Sequence, residues 1–113
     1  MYSSDATAWC AITVNDVLAE CGYPTTASVL AKSFVNDAYG LEIAPADIAP
    51  VDIIVFDRGN VAWQGHVEVV DKVSGDGTVW AIGGNVSDQV KRSLRKIADI
   101  VPRGNRRPVM AAD

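Results

Sequence analysis

Cys10 and His66 are the residues of this 113-residue chain whose types suit a nucleophile and its base. Cys10 stands in Thr7-Ala8-Trp9-Cys10-Ala11, and His66, the only histidine, in Trp63-Gln64-Gly65-His66-Val67. An imidazole beside a thiol can take its proton, and the thiolate then attacks an electrophilic carbon. Such partners lie far apart in sequence and meet in the fold. Packing is the competing reading, since cysteine is among the most buried residue types and a lone histidine is more often structural.

The chemistry requires elements that bring the two together. Cys10, Val14, Val17, Leu18 and Cys21 follow i, i+4, i+7, i+8, i+11, the stripe of a helix facing a core. Thr7 or Asp5 is placed to cap its start, and Gly22 to end it as the C′ residue. This polarity distinguishes the two thiols: the positive end of the helix dipole favours a thiolate at Cys10 and disfavours one at Cys21. Helix-start amides are unpaired, so the Cys10 N–H is the expected oxyanion donor. A second helix is predicted over 27–38, capped by Thr26, with Gly40 just beyond it. Pro45 and Pro50 then break the chain into a loop.

From Val51 the period changes to that of strands. Asp52 to Phe56, Gly65 to Val73 and Thr78 to Gly83 read as strands, with a tight turn at Ser74-Gly75-Asp76-Gly77. Val86 to Lys96 also leans towards strand. Helices first and hairpin-linked strands afterwards predict an α+β fold, with N-terminal helices packed on an antiparallel sheet, in one domain over 1–113.

Turn chemistry sets the hairpin register. With Gly75-Asp76 central, His66 lies opposite Asn85. With Asp76-Gly77 central, Glu68 faces Asn85 and His66 is on the diagonal. Both registers put His66, Glu68 and Asn85 on one sheet face with Ala81 and Gly83, with opposed Cβ atoms about 5 Å apart and diagonal ones about 7 Å. Small residues there would let a helix start approach. Val67, Val69, Val73, Trp80 and Ile82 are the expected core of the other face. In this arrangement Cys10 is nucleophile, His66 general base and acid, and Asn85 the group that orients the ring. Gly83-Gly84-Asn85 also reads as simple turn chemistry.

Composition narrows the function classes. With 49% apolar and 21% charged residues the chain is an ordinary globular sequence. No apolar run approaches the roughly 18 residues of a membrane span, and residues 1–5 show no secretory signal. Cys10 and Cys21 would stand about 16 Å apart on one helix, too far for a disulfide. One histidine and two distant cysteines do not make a zinc site, and no cofactor is implied. Residues 1–57 carry eight acids and one base, residues 58–113 six acids and nine bases. Lys91, Arg92, Arg95, Lys96, Arg103, Arg106 and Arg107 crowd the C-terminal part. Such a patch suits nucleic acid, but a charge-guarded edge strand is the favoured reading, and no nucleic-acid partner is expected.

Taken in order, the motifs resemble a family of phage and bacterial cell-wall cysteine peptidases of the NlpC and CHAP (cysteine, histidine-dependent amidohydrolase/peptidase) superfamily. Asp5, Trp9-Cys10-Ala11 and Asn15 resemble the nucleophile motif, and Ser28 to Ser33 with Ala31 the second helix. Pro50 to Phe56 resembles the entry to the sheet, Trp63 to Val67 the histidine strand, Ile82-Gly83-Gly84-Asn85 the third-residue strand, and Arg106-Arg107-Pro108 the closing motif. The resemblance implies a papain-like fold and hydrolysis of a peptidoglycan amide bond by Cys10, His66 and Asn85, in a phage endolysin-like or effector-like protein. It adds Gln64 and Trp9 as substrate neighbours. Glu68 stands where the family tends to have a small residue, on the face of His66, as a competing orienting group. Cys10 lies closer to the start of the chain than in relatives, so a partner protein or phage component is expected to complete the groove. Delivery to the cell wall by release or a secretion machine would replace a signal. An inactive papain-like binding module, for example in a virion, is the alternative.

Overall fold

The computed structural model describes residues 10–26, 28, 31–57, 65–84 and 90–109, and the backbone of 6–9. Helix α1 spans Ala6–Glu20. Gly22, at φ +82°, ends it as expected. Tyr23 N–H donates to Leu18 C=O at 2.8 Å and Gly22 N–H to Ala19 C=O at 3.1 Å, the paired bonds of a Schellman turn. Cys10, Ala11, Val14 and Leu18 are buried, whereas Val17 is 45% exposed and Cys21 is exposed. The buried arc is thus narrower than the apolar stripe, because Val17 and Cys21 sit at its edge near the end of the helix. Both cysteines are thiols, with no disulfide between them.

The second helix is much shorter than the predicted 27–38. Helix α2 is a single turn, Ser33–Asn36, with Lys32 and not Thr26 at its N-cap. Thr26 is engaged elsewhere: its hydroxyl accepts from Asn15 Nδ2 at 3.1 Å and from Ser33 Oγ at 2.8 Å. Asn15 also accepts from Thr26 N–H and donates to Ser28 C=O, both at 3.1 Å. This half-buried amide of α1 therefore pins the following loop to the helix. Asn15→Ala removes all three bonds and is expected to cost about 2 kcal/mol in denaturant unfolding.

Six strands form one antiparallel sheet: β1 Leu41–Glu42, β2 Ile53–Asp57, β3 Gly65–Val73, β4 Thr78–Gly84, β5 Val90–Lys96 and β6 Ile100–Arg107. Their order is β1-β6-β2-β3-β4-β5. The α+β architecture and the antiparallel sheet agree with the sequence; β1 and β6 were not legible there. Strand β5 forms one edge of the sheet, and exposed Arg92, Leu94 and Lys96 alternate with half-buried Ser93 and Arg95.

The β3–β4 hairpin follows neither predicted turn. Ser74 N–H donates to Thr78 C=O, closing a three-residue loop in which Gly75 and Gly77 both have positive φ. The register shifts at Asp71, from Val73↔Val79 and Lys72↔Trp80 to Val70↔Ala81 and Val69↔Ile82. That bulge absorbs the extra loop residue and restores, beyond it, one of the two predicted pairings. It also changes the core. Val70, Val79 and Ala81 are buried, Val69 and Trp80 half-buried, and Val73 and Ile82 more than a third exposed.

The sheet has a core on each face. On one, α1 packs through Cys10, Ala11, Val14 and Leu18 on Ile53, Val55 and Val67, with Phe34 and Tyr39. The helix thus lies on the Val67 face and not on that of Ala81 and Gly83. The other face gathers Ile48, Ile54, Phe56, Val70, Val79 and Ala81, with Ile97 and Ile100 against them. One short connection shows that this second face is concave. Lys96 pairs with Thr78 at the β5 edge, and Ile100 pairs with Phe56 of β2. Only the 3₁₀ turn Ile97–Asp99 links them. In a flat sheet β5 and β6 would lie four strand spacings apart, about 19 Å, whereas three 3₁₀ residues rise about 6 Å. The sheet must curl to let them meet.

At the other end of the sheet, buried Asp52 accepts from Arg107 Nε at 2.7 Å and Nη2 at 3.0 Å, and from Ala49 N–H. Buried Arg106 donates to Tyr39 C=O at 2.7 Å. Arg107 thus ties β6 to the chain entering β2, and Arg106 ties it to the segment between α2 and β1.

Candidate active site

His66 is the second residue of β3, and strand alternation puts Glu68 beside it on the concave face. The imidazole Nε2 lies 2.7 Å from Glu68 Oε2, and both side chains are buried. The ring also hydrogen-bonds the Cys10 thiol. A carboxylate can only accept, so in its neutral form His66 carries its proton on Nε2. Nδ1 is the nitrogen left for sulfur, as acceptor from the thiol or, once protonated, as donor to the thiolate. The described contacts therefore join Cys10, His66 and Glu68 in that order.

Glu68 is itself held. Arg95 of β5 donates from Nε to Glu68 Oε1 at 2.7 Å and from Nη2 to Oε2 at 2.6 Å, a two-pronged charged contact. The guanidinium also lies over the Phe56 ring, 5.8 Å from its centre. Burial alone would lower the His66 pKa, but the hydrogen bonds and negative charges of Cys10 and Glu68 outweigh it and hold it above the ordinary histidine value. Burial likewise tends to raise the Glu68 pKa, and Arg95 and His66 overcome it, keeping the carboxyl below its ordinary value.

Gly83 makes room for this carboxylate. A Cβ at position 83 would sit 2.7 Å from Glu68 Cγ and 3.2 Å from Oε2. Small residues on this face admit Glu68, not the helix start that the sequence suggested. Because both Glu68 oxygens are tied, the side chain cannot swing aside without breaking a bond. Gly83→Ala is expected to displace Glu68 and to cost about 1–3 kcal/mol through overpacking, read by thermal unfolding. Gly65 is similarly confined, between the Lys32 side chain and Phe56 C=O, and Lys32 Nζ pairs with Asp57 at 2.6 Å.

Other expected residues fall elsewhere. Asn85 and Gln64 lie outside the described residues, and of Trp9 only the backbone is described. Cys10 is the fifth residue of α1 and not its first. Its N–H belongs to the helical ladder, so the oxyanion expectation fails for that amide; the orphan donors precede it. The thiol is fully buried. The cleft that opens onto the site, about 600 Å³, reaches His66 from the Glu68 side and is walled by Phe56, Gly83 and β5. Arg95 was not singled out in the sequence. Its signal is indirect: Lys91, Arg92, Arg95 and Lys96 crowd β5, two strands from β3 with its buried Glu68. Among the described residues no group of three His, Cys, Asp or Glu side chains could hold a metal ion, and no helix is long and apolar enough to cross a membrane.

Compared with models of known protein families, residues 2–85 match the one described as CHAP domain. The match takes in Cys10, His66 and Glu68 and stops before β5, so Arg95 lies beyond it. No curated protein and no solved structure matches the chain.

Proposed function

Because the chain belongs to the CHAP domain family, whose members are generally cysteine-dependent hydrolases of peptidoglycan, we propose that it cleaves an amide bond of the cell-wall peptide with Cys10 as nucleophile. The observation that carries this reading is the hydrogen bond between Cys10 and His66, backed by the buried Glu68 carboxylate. His66 takes the thiol proton, and the thiolate attacks the amide carbonyl carbon. The tetrahedral adduct collapses to a thioester as the imidazolium gives its proton to the departing amine. Water, deprotonated by His66, then releases the acid and restores the thiol. Glu68 fixes the ring and offsets the positive charge it gains; Arg95 fixes Glu68. We assign the orienting role to Glu68 on its contact with His66, in place of Asn85. A phage lysis or entry enzyme, or an effector, is the setting that suits this chemistry.

Digestion of purified peptidoglycan, with new termini read by mass spectrometry, tests the proposal and names the bond. Intact polymer after prolonged incubation would refute it. A second reading, an inert module that keeps the fold, is favoured by the complete burial of the Cys10 sulfur. Iodoacetamide at pH 6 separates the two: an activated thiolate gives Cys10 modified ahead of exposed Cys21, and an inert module gives the reverse.

A further inference from the structure

The cleft beside His66 has a charge pattern that the hydrolytic chemistry leaves unused. Strand alternation puts Lys91, Ser93 and Arg95 on one face of β5, and all three line the cleft. Arg95 is neutralised by Glu68, and Asp57, also in the lining, by Lys32. Two charged lining groups remain, Lys91 and Asp99. Neither has an ion-pair partner among the described residues, and both are exposed. Asp99 belongs to the 3₁₀ turn that crosses the curled sheet from β5 to β6, so the two charges come from different walls of one opening.

We propose that this cleft is a subsite for a zwitterionic amino-acid end, its carboxylate on Lys91 with Ser93 as an added donor, and its ammonium on Asp99. The subsite rests on the proposed peptidoglycan activity for its choice of ligand. Stem peptides contain a diamino acid whose side chain ends either in an ammonium alone, as in lysine, or in an ammonium and a carboxylate on one carbon, as in diaminopimelate. Only the second satisfies both walls. Lys91, Ser93 and Asp99 lie beyond residues 2–85, the part that matches the family model.

The test is binding by Cys10→Ala protein, which cannot turn the ligand over, followed by NMR titration with two tripeptides. One is L-alanyl-γ-D-glutamyl-diaminopimelate, and the other carries lysine in the third position. The diaminopimelate peptide is expected to bind about three- to tenfold more tightly. Lys91→Ala should abolish that preference by weakening the diaminopimelate peptide only, and Asp99→Asn should weaken both. Amide spectra of each variant establish that it is folded. Equal affinity for the two peptides, no binding of either, or a preference that survives Lys91→Ala would overturn the subsite. Muropeptide release by the parent protein is scored separately: release without discrimination removes the subsite and leaves the hydrolase, and discrimination without release does the opposite.

Discussion

Cys10→Ala is expected to lower muropeptide release by at least about 10³-fold, because in the proposed mechanism the sulfur is the atom that bonds to substrate carbon. The fold should survive the change. Cys10 packs in the α1 core among Ala11, Val14 and Val67, and alanine keeps the helix and leaves only a small void there. A far-UV spectrum and melting curve close to those of the parent would separate loss of chemistry from loss of structure. Full release by a folded Cys10→Ala protein would remove the thiol from the mechanism.

Glu68 carries the second large effect, and its pH dependence is distinctive. Glu68→Gln keeps the shape but removes the charge that helps raise the His66 pKa. Activity is expected to fall about 10- to 100-fold. The alkaline limb of the rate profile, set by loss of the imidazolium, should move to lower pH. Stability follows with a definite sign. His66, raised above 6.5, contributes fully below that value and loses its contribution as pH rises through its folded pKa. Glu68, lowered below 4.5, contributes fully above that value and loses its contribution as pH falls through its folded pKa. The pair therefore stabilises most between these two ordinary values. Glu68→Ala should flatten that pH dependence and cost about 2 kcal/mol, less than a fully dry pair would, since Arg95 is partly open to water. Urea unfolding at pH 4, 5.5 and 8 reads both effects. A pH profile unchanged in Glu68→Gln would show that the ring is oriented by another group.

What the sequence disclosed divides by range. Features set by neighbours were readable: the α1 periodicity, the Gly22 stop, the alternation of β3 and β4. Glu68 could be named as a candidate because two residues along a strand share a face. The three-residue hairpin loop was not readable, because Gly75 and Gly77 serve several turns equally well and the compensating bulge at Asp71 has no signature of its own. Strand β6 was hidden by Pro102, Gly104 and the left-handed Arg103, all of which argue against a strand until Asp52 and Tyr39 are seen to hold its arginines. The shortened α2 follows from Asn15, which draws Thr26 away from capping. Arg95 was least visible, since its position opposite Val79 depends on the β4–β5 register.

The position of β5 at the edge of the sheet, its backbone paired with β4 alone among the described strands, makes it an exchangeable part. Its residues can change without repacking α1 or moving the nucleophile. Arg95 must remain for Glu68, but exposed Lys91 and half-buried Ser93 face the cleft. On the proposed cell-wall activity, exchanging residues 91 and 93 of that strand is a route to retarget the cleft while Cys10, His66, Glu68 and Arg95 stay as they are.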